Sequence, residues 1–169
     1  MGKIIAGAGL NGTITELDIS QNNMTAESSE NLYLLIVSLK TLIKLNVSGN
    51  DLGNTSAEAI SRGLSHYRCS LQHLTMSETG VSNKGFSFLF REGIGANKTL
   101  KHLTADQNSL DQTTNFRPIR LAFERSRSME YLSLQNCMLR DAVGIPLAQS
   151  LQTNRFLTHI NLSHNHLGD

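Results

Sequence analysis

Only two cysteines and two prolines stand among the 169 residues of this chain, and no charge of either sign predominates. Cys69 and Cys137 supply no paired-cysteine framework of the kind that staples secreted domains. Fifteen basic against fourteen acidic side chains leave no electrostatic footprint for nucleic acid. No apolar run approaches the roughly 20 residues of a membrane span. The opening Met1-Gly-Lys-Ile-Ile-Ala-Gly-Ala-Gly has too short an apolar part for a secretory signal. Ala6 stands where an acylation motif at Gly2 prefers Ser or Thr. Six Asn-x-Ser/Thr sequons, at Asn11, Asn23, Asn46, Asn54, Asn97 and Asn161, are what chance gives in a chain rich in these residues. A cytoplasmic protein without membrane contact is the expectation.

Catalytic signatures are equally scarce. There is no nucleophile elbow, no P-loop and no telling pair of carboxylates. Gly7-Ala-Gly-Leu-Asn-Gly12 fits a dinucleotide fingerprint by letter. That chemistry needs a helix immediately afterwards to face the pyrophosphate, and the next segment, Ile14 to Ile19, reads as a strand. His159, His164 and His166 lack the cysteines or carboxylates that would complete a zinc site. Neither an enzyme, a cofactor nor a metal is expected.

What the chain does contain is one pattern written six times. L-x-x-L-x-L-x-x-N-x-L begins at Ile14, Leu42, Leu71, Leu100, Met129 and Leu157, in steps of 28, 29, 29, 29 and 28 residues. This is the leucine-rich-repeat signature. It divides the chain into the tail of a preceding repeat at 1–13, repeats at 14–41, 42–70, 71–99, 100–128 and 129–156, and a partial repeat at 157–169. Within Leu42-Ile-Lys-Leu45-Asn-Val47, alternation turns Leu45 and Val47 inward and Lys44 and Asn46 outward, as a strand requires. The ninth position holds Asn22, Asn50, Asn108 and Asn165, with Thr79 and Cys137 in the other two repeats. Stacked side chains there can bond buried backbone where the chain leaves the strand, and the two exceptions weaken that ladder.

The second half of each repeat shows helical spacing: Leu32, Leu35 and Leu39; Ile60 and Leu64; Phe86 and Leu89; Ile119 and Phe123; Leu147 and Leu151. Pro118 and Pro146 are both expected in a first helical turn, where a missing donor is tolerated. Parallel strands stack about 4.8 Å apart, whereas helices with side chains need roughly 10 Å. An α/β leucine-rich-repeat solenoid follows, a right-handed horseshoe segment with a parallel sheet on the concave face and helices on the convex face. The cysteines then lie at least two strands apart, beyond the ~7 Å reach of a disulfide. Neither end carries a polar cap, which predicts a slice of a longer array, or end-to-end self-association of the chain made alone.

Period and full-length helices resemble the ribonuclease-inhibitor-like class of leucine-rich repeats over residues 4–169. The cysteine-rich repeats of the ribonuclease inhibitors themselves are missing. Ile14-Thr-Glu-Leu-Asp-Ile-Ser20, Ser70-Leu-Gln-His-Leu and Ala96-Asn-Lys-Thr-Leu100 are similar in texture to the CARMIL-type regulators of actin capping protein. That resemblance implies a scaffold that binds another protein, with a cytoskeletal partner. The alternative, from the same class, is an activator of a small GTPase resembling those of Ran.

Binding is expected on the concave face. Its third motif position reads Glu16, Lys44, His73, His102, Tyr131 and His159; the fifth reads Asp18, Asn46, Thr75, Thr104, Ser133 and Asn161; the seventh includes Asp106 and Gln135. These columns are polar and mostly small, with Tyr131 the only aromatic, which disfavours a large hydrophobic partner. His73 and His102, at one position on consecutive strands, are expected about 5 Å apart. Arg117, Arg120, Arg125 and Arg127 gather on the fourth helix and read as a solvated face.

Overall fold

A computed structural model describes Gly7, residues 11–112 and residues 114–168. The helical turn expected around residues 4–13 falls mostly outside the described residues. Six three-residue strands carry the repeat: β1 (Glu16–Asp18), β2 (Lys44–Asn46), β3 (His73–Thr75), β4 (His102–Thr104), β5 (Tyr131–Ser133) and β6 (His159–Asn161). They form one parallel sheet in sequence order. The register sets Leu17, Leu45, Leu74, Leu103, Leu132 and Ile160 side by side. Strand starts at 16, 44, 73, 102, 131 and 159 are those the motif places.

Behind this sheet the chain returns through α1 (Ser29–Ser38), α2 (Gly53–Ser65), α3 (Asn83–Phe88), α4 (Arg117–Arg125) and α5 (Asp141–Leu151). α3 runs on as a wider turn over Leu89–Ile94, where the Gly95 amide reaches back five residues to the Phe90 carbonyl at 3.0 Å. Between sheet and helices lies one continuous core of Leu, Ile, Val, Met and Phe side chains. Phe90 sits at its centre, with the rings of Phe86, Phe123 and Phe116 at 5.7, 6.1 and 6.2 Å. Cys69 and Cys137 are both buried free thiols in this layer. No helix among the described residues is long and apolar enough to cross a membrane.

The two prolines differ from expectation. Pro118 stands in the first turn of α4, as expected. Pro146 lies inside α5, five residues past its start. Its missing N–H leaves the Ala142 carbonyl free, and the Phe116 amide of the preceding repeat takes that carbonyl at 2.7 Å. A proline in mid-helix costs a helical hydrogen bond, and here the neighbouring repeat supplies the replacement. The fourth repeat also starts its helix late: residues 111, 112 and 114–116 are not helical, whereas the other repeats have largely entered their helices by this point.

The eighth motif position is left-handed in all six repeats: Gln21, Gly49, Glu78, Gln107, Asn136 and His164 have φ between 52° and 65°. Only one of the six is glycine, so the turn holds five side chains in a conformation that L-residues rarely adopt.

Candidate functional site: the concave sheet face

All helices lie on one side of the sheet, so the other side is left to solvent and its side chains project in columns. The chain folds this way because motif positions four and six are apolar and turn inward, while positions three, five and seven alternate outward. A hollow of about 470 Å³ opens at the first three strands, lined by Glu16, Asp18, Lys44, Asn46, His73 and Thr75.

Column three begins with an ion pair, Lys44 Nζ to Glu16 Oε1 at 2.8 Å. It continues as a row of rings. The imidazoles of His73 and His102 stack with centroids 4.3 Å apart, against the 5 Å expected. His102 stacks on Tyr131 at 5.5 Å, and Tyr131 lies 6.4 Å from His159. Faces are turned to one another along the stack, so a partner meets ring edges: imidazole nitrogens and the phenol hydroxyl. Reading the face as one lone aromatic among small polar groups therefore understated it. Histidine counted as a polar residue conceals a planar ring, and only the strand register shows that four rings fall in one row.

Among the described residues, neither ring of the His73–His102 pair has a hydrogen-bond partner, and neither does the Tyr131 hydroxyl; His159 Nδ1 meets the Thr158 hydroxyl at 2.9 Å. Partial burial, then the neighbouring His102 and the Lys44 and Lys101 charges, hold the His73 imidazole below the usual histidine range, with Glu16 opposing them. Beside this row Lys101 pairs with Glu130 at 3.0 Å.

Columns five and seven are largely occupied with the fold itself. Strand exit leaves one backbone amide per repeat at position seven, and a side chain accepts each of them. Asp18, Asn46 and Asn161 take the amides of Ser20, Ser48 and Ser163 in their own repeats. Ser48, Ser77 and Asp106 take those of Ser77, Asp106 and Gln135 in the next repeat. Asp106 Oδ1 also accepts from the buried Ser133 hydroxyl at 2.6 Å. Asn46 donates to Asp18 at 3.0 Å, and Asn161 donates to Gln135 at 3.2 Å. Hydrogen bonds from the Ser20 hydroxyl and amide, with Asn46, draw the Asp18 carboxyl below its ordinary range. Thr75 and Thr104 stand between these groups on β3 and β4, half-buried.

At the ninth position Asn50, Asn108 and Asn165 behave alike. Each accepts two amides from the preceding repeat: those of Asn22 and Met24, of Thr79 and Val81, and of Cys137 and Leu139. Each also donates to two strand-end carbonyls, one of its own repeat and one of the preceding repeat. Thr79 and Cys137 fall between them and donate instead, Thr79 Oγ1 to Met76 O at 2.8 Å and Cys137 Sγ to Ala105 O at 3.2 Å. Their own carbonyls accept the amides of Gly53 and Leu110. Asn22 is exposed, and among the described residues its side chain bonds only the Ser20 carbonyl.

A second asparagine position escaped the motif reading. Three residues before the repeat start, Asn97 donates to Leu64 O and accepts from the amides of Thr99 and Leu100. Asn154 repeats this with Phe123 O and the amides of Phe156 and Leu157. The signal was present as N-x-x-L/I ahead of three of the six strands, in Asn11-Gly-Thr-Ile14, Asn97-Lys-Thr-Leu100 and Asn154-Arg-Phe-Leu157.

On the convex side the arginines of α4 lie away from the columns. Arg120 pairs with Glu124 at 2.6 Å, and Arg127 bonds the carbonyls of Glu124 and Ser126. Both bond only their own helix, its C-terminal turn and Gln149.

Comparison with known proteins agrees with this geometry. A family model described as Leucine Rich repeat matches residues 11–30, 38–61 and 153–169. The chain is similar to NACHT, LRR and PYD domains-containing protein 5 of Homo sapiens, 28% identical over 156 residues, 92% of this chain and 13% of the relative. It is similar to Ribonuclease inhibitor of Mus musculus, 27% identical over 92% of this chain and 34% of the relative. It thus spans a small part of the length of these curated relatives. Among solved structures, the tropomodulin C-terminal domain of Caenorhabditis elegans matches with a TM-score of 0.70 at 12% identity, over 90% of this chain and 92% of that one. A structure titled Leiomodin-1 Actin-Binding Site 2 matches with a TM-score of 0.67 at 13% identity, over 89% and 88%.

Proposed function

Since this chain is a leucine-rich-repeat protein of the ribonuclease-inhibitor-like class, we propose that it is a cytoplasmic interaction scaffold that seats a partner protein on its concave sheet. The observation that carries this reading is the bare face. Parallel sheets are ordinarily covered on both sides, and here the described residues cover only one. The seat comprises Glu16, Asp18, Lys44, Asn46, His73, Thr75, His102, Thr104, Asp106, Tyr131, Gln135 and His159. Columns five and seven hold the strand ends rigid, and the ring row supplies the contact edges. Pre-organised groups of this kind bind without a large ordering cost.

The partner belongs, in this proposal, to the cytoskeleton. Support comes from the likeness in fold to the tropomodulin domain and to the leiomodin segment whose title names actin. Two buried free thiols suit the reducing cytoplasm. Purified actin is the first probe, with a photocrosslinking residue placed at Thr104 on the concave face or at Arg125 on the convex face. Crosslinks from Thr104 and none from Arg125 are expected, with loss of binding in Thr75→Arg/Thr104→Arg. Crosslinks from Arg125 alone would refute the concave seat, and no actin binding at all would refute the cytoskeletal assignment. Accelerated GTP hydrolysis by a small GTPase in the presence of the chain would replace the scaffold reading with a regulatory one.

A further inference from the structure

We propose that the His73–His102 pair is a docking point for carboxylate side chains of an acidic partner segment, and that docking is coupled to proton uptake. This deepens the concave-face reading and rests on it. Every carboxylate of the three outward columns already holds an intramolecular partner: Glu16 holds Lys44, Asp18 holds Ser20 and Asn46, and Asp106 holds Ser133 and the Gln135 amide. Glu130, beside the row, holds Lys101. What remains uncommitted at the centre is a pair of imidazoles 4.3 Å apart, half-exposed, with no hydrogen-bond partner among the described residues. Each neutral ring offers one N–H donor and one acceptor nitrogen, and both nitrogens donate once the ring is charged, so a carboxylate is the ligand that the charged pair would hold best.

Charge favours the same ligand. The groups facing the pair are Lys44 and Glu16 from β2 and β1, Lys101 and Glu130 beside β4 and β5, and the Tyr131 ring, with His159 beyond it. Lys44 and Lys101 reach His73 electrostatically, and only Glu16 opposes them. In the free protein, two imidazoles this close resist double protonation, as any like-charge pair does. A partner carboxylate set against their edges removes that obstacle. Both nitrogens of each charged ring become donors, and the two flanking lysines can turn from surface ion pairs, which hold them weakly, toward the incoming charge. Proton balance is simple: each imidazole that charges on docking takes one proton from solvent and returns it on release.

The linkage has a definite sign. Docking raises the imidazole pKa, so the bound state takes up protons; affinity grows as pH falls through the bound-state pKa and levels off below the free-state one, which for His73 lies below the ordinary histidine value. A rise of one unit on one ring gives about tenfold tighter binding across the titration. A cationic segment would show the reverse.

Octaglutamate and octalysine peptides are suitable probes, titrated into the intact chain at pH 5.8 and 7.8 while the histidine imidazole resonances are followed by NMR. Octaglutamate is expected to shift His73 and His102 and to bind about tenfold tighter at pH 5.8. His73→Gln/His102→Gln should abolish the pH dependence at this site, whereas His159→Gln should keep it. Circular dichroism of the variants checks that they remain folded, as changes confined to the sheet surface should. Octaglutamate binding that is flat with pH, shifts confined to residues near the α4 arginines, or tighter binding of octalysine would each overturn the proposal. If crosslinking from Thr104 to a protein partner persists in that event, the acidic docking point fails and the concave seat stands.

Discussion

Asn108 offers the sharpest test of what holds one repeat to the next. It is buried and makes bonds with both its atoms: Nδ2 to the carbonyls of Met76 and Ala105 at 2.9 and 3.0 Å, and Oδ1 from the amides of Thr79 and Val81 at 3.2 and 3.0 Å. In Asn108→Ala the two carbonyls keep a second partner, since Thr79 Oγ1 reaches Met76 O and Cys137 Sγ reaches Ala105 O. The two amides keep none. An orphaned buried donor costs about 1–3 kcal/mol, so the substitution should cost about 2–6 kcal/mol. Asn22→Ala removes one exposed bond and should stay within about 0.5 kcal/mol. Asn108→Asp is nearly isosteric but turns an oxygen toward the two carbonyls. Its carboxyl pKa should rise in the folded state, because both burial and the facing carbonyls oppose the charge. The deficit relative to the parent should then be smallest below about pH 3.9, the unfolded value, and grow as pH rises through the folded pKa. Urea unfolding followed by circular dichroism reads all three, which suits a chain without tryptophan. If Asn108→Ala and Asn22→Ala cost the same, the bonding across repeats contributes nothing to stability and the argument fails.

Other expectations rest on the core and its thiols. Leu74→Ala and Leu103→Ala, at 1% and 0% exposure, should each cost about 2–5 kcal/mol in the same assay; a change within about 0.5 kcal/mol would contradict the inward register. Gly85→Ala would set its Cβ 2.7 Å from both Asn54 Oδ1 and Val81 Cγ1 and should cost about 1–3 kcal/mol by overpacking, read as a lowered melting temperature. Burial pushes the Cys137 thiol up to about 11 and raises that of Cys69, so neither should react with a thiol reagent at pH 8 until urea unfolds the chain.

Period, register and strand positions were legible because the inward apolar residues repeat without a gap from Ile14 to Leu167. The apolar half of a solenoid is written directly in sequence spacing. The polar half is legible only in part. The outward columns could be named residue by residue, yet their division of labour could not, since an Asp or Ser that accepts a backbone amide has the same letter as one left free for a partner. Asp18 and Asp106 were read as contact residues and are also strand-end acceptors. Pro146 was misplaced because its tolerance depends on an amide 30 residues earlier in the chain, Phe116. No local rule reports that.

The bond from Phe116 to Ala142 also makes the approach to α4, from Asp111 to Phe116, a reporter on a helix it does not belong to. Its first residue, Asp111, holds Arg140 at 2.7 Å just before α5, and its last, Phe116, closes on a carbonyl within α5. Asp111 and Phe116 are thus both fastened to the succeeding repeat, so the start of α4 and α5 should open together as one cooperative unit. The Phe116 amide should exchange with solvent at the rate of α5, far more slowly than a loop position would suggest.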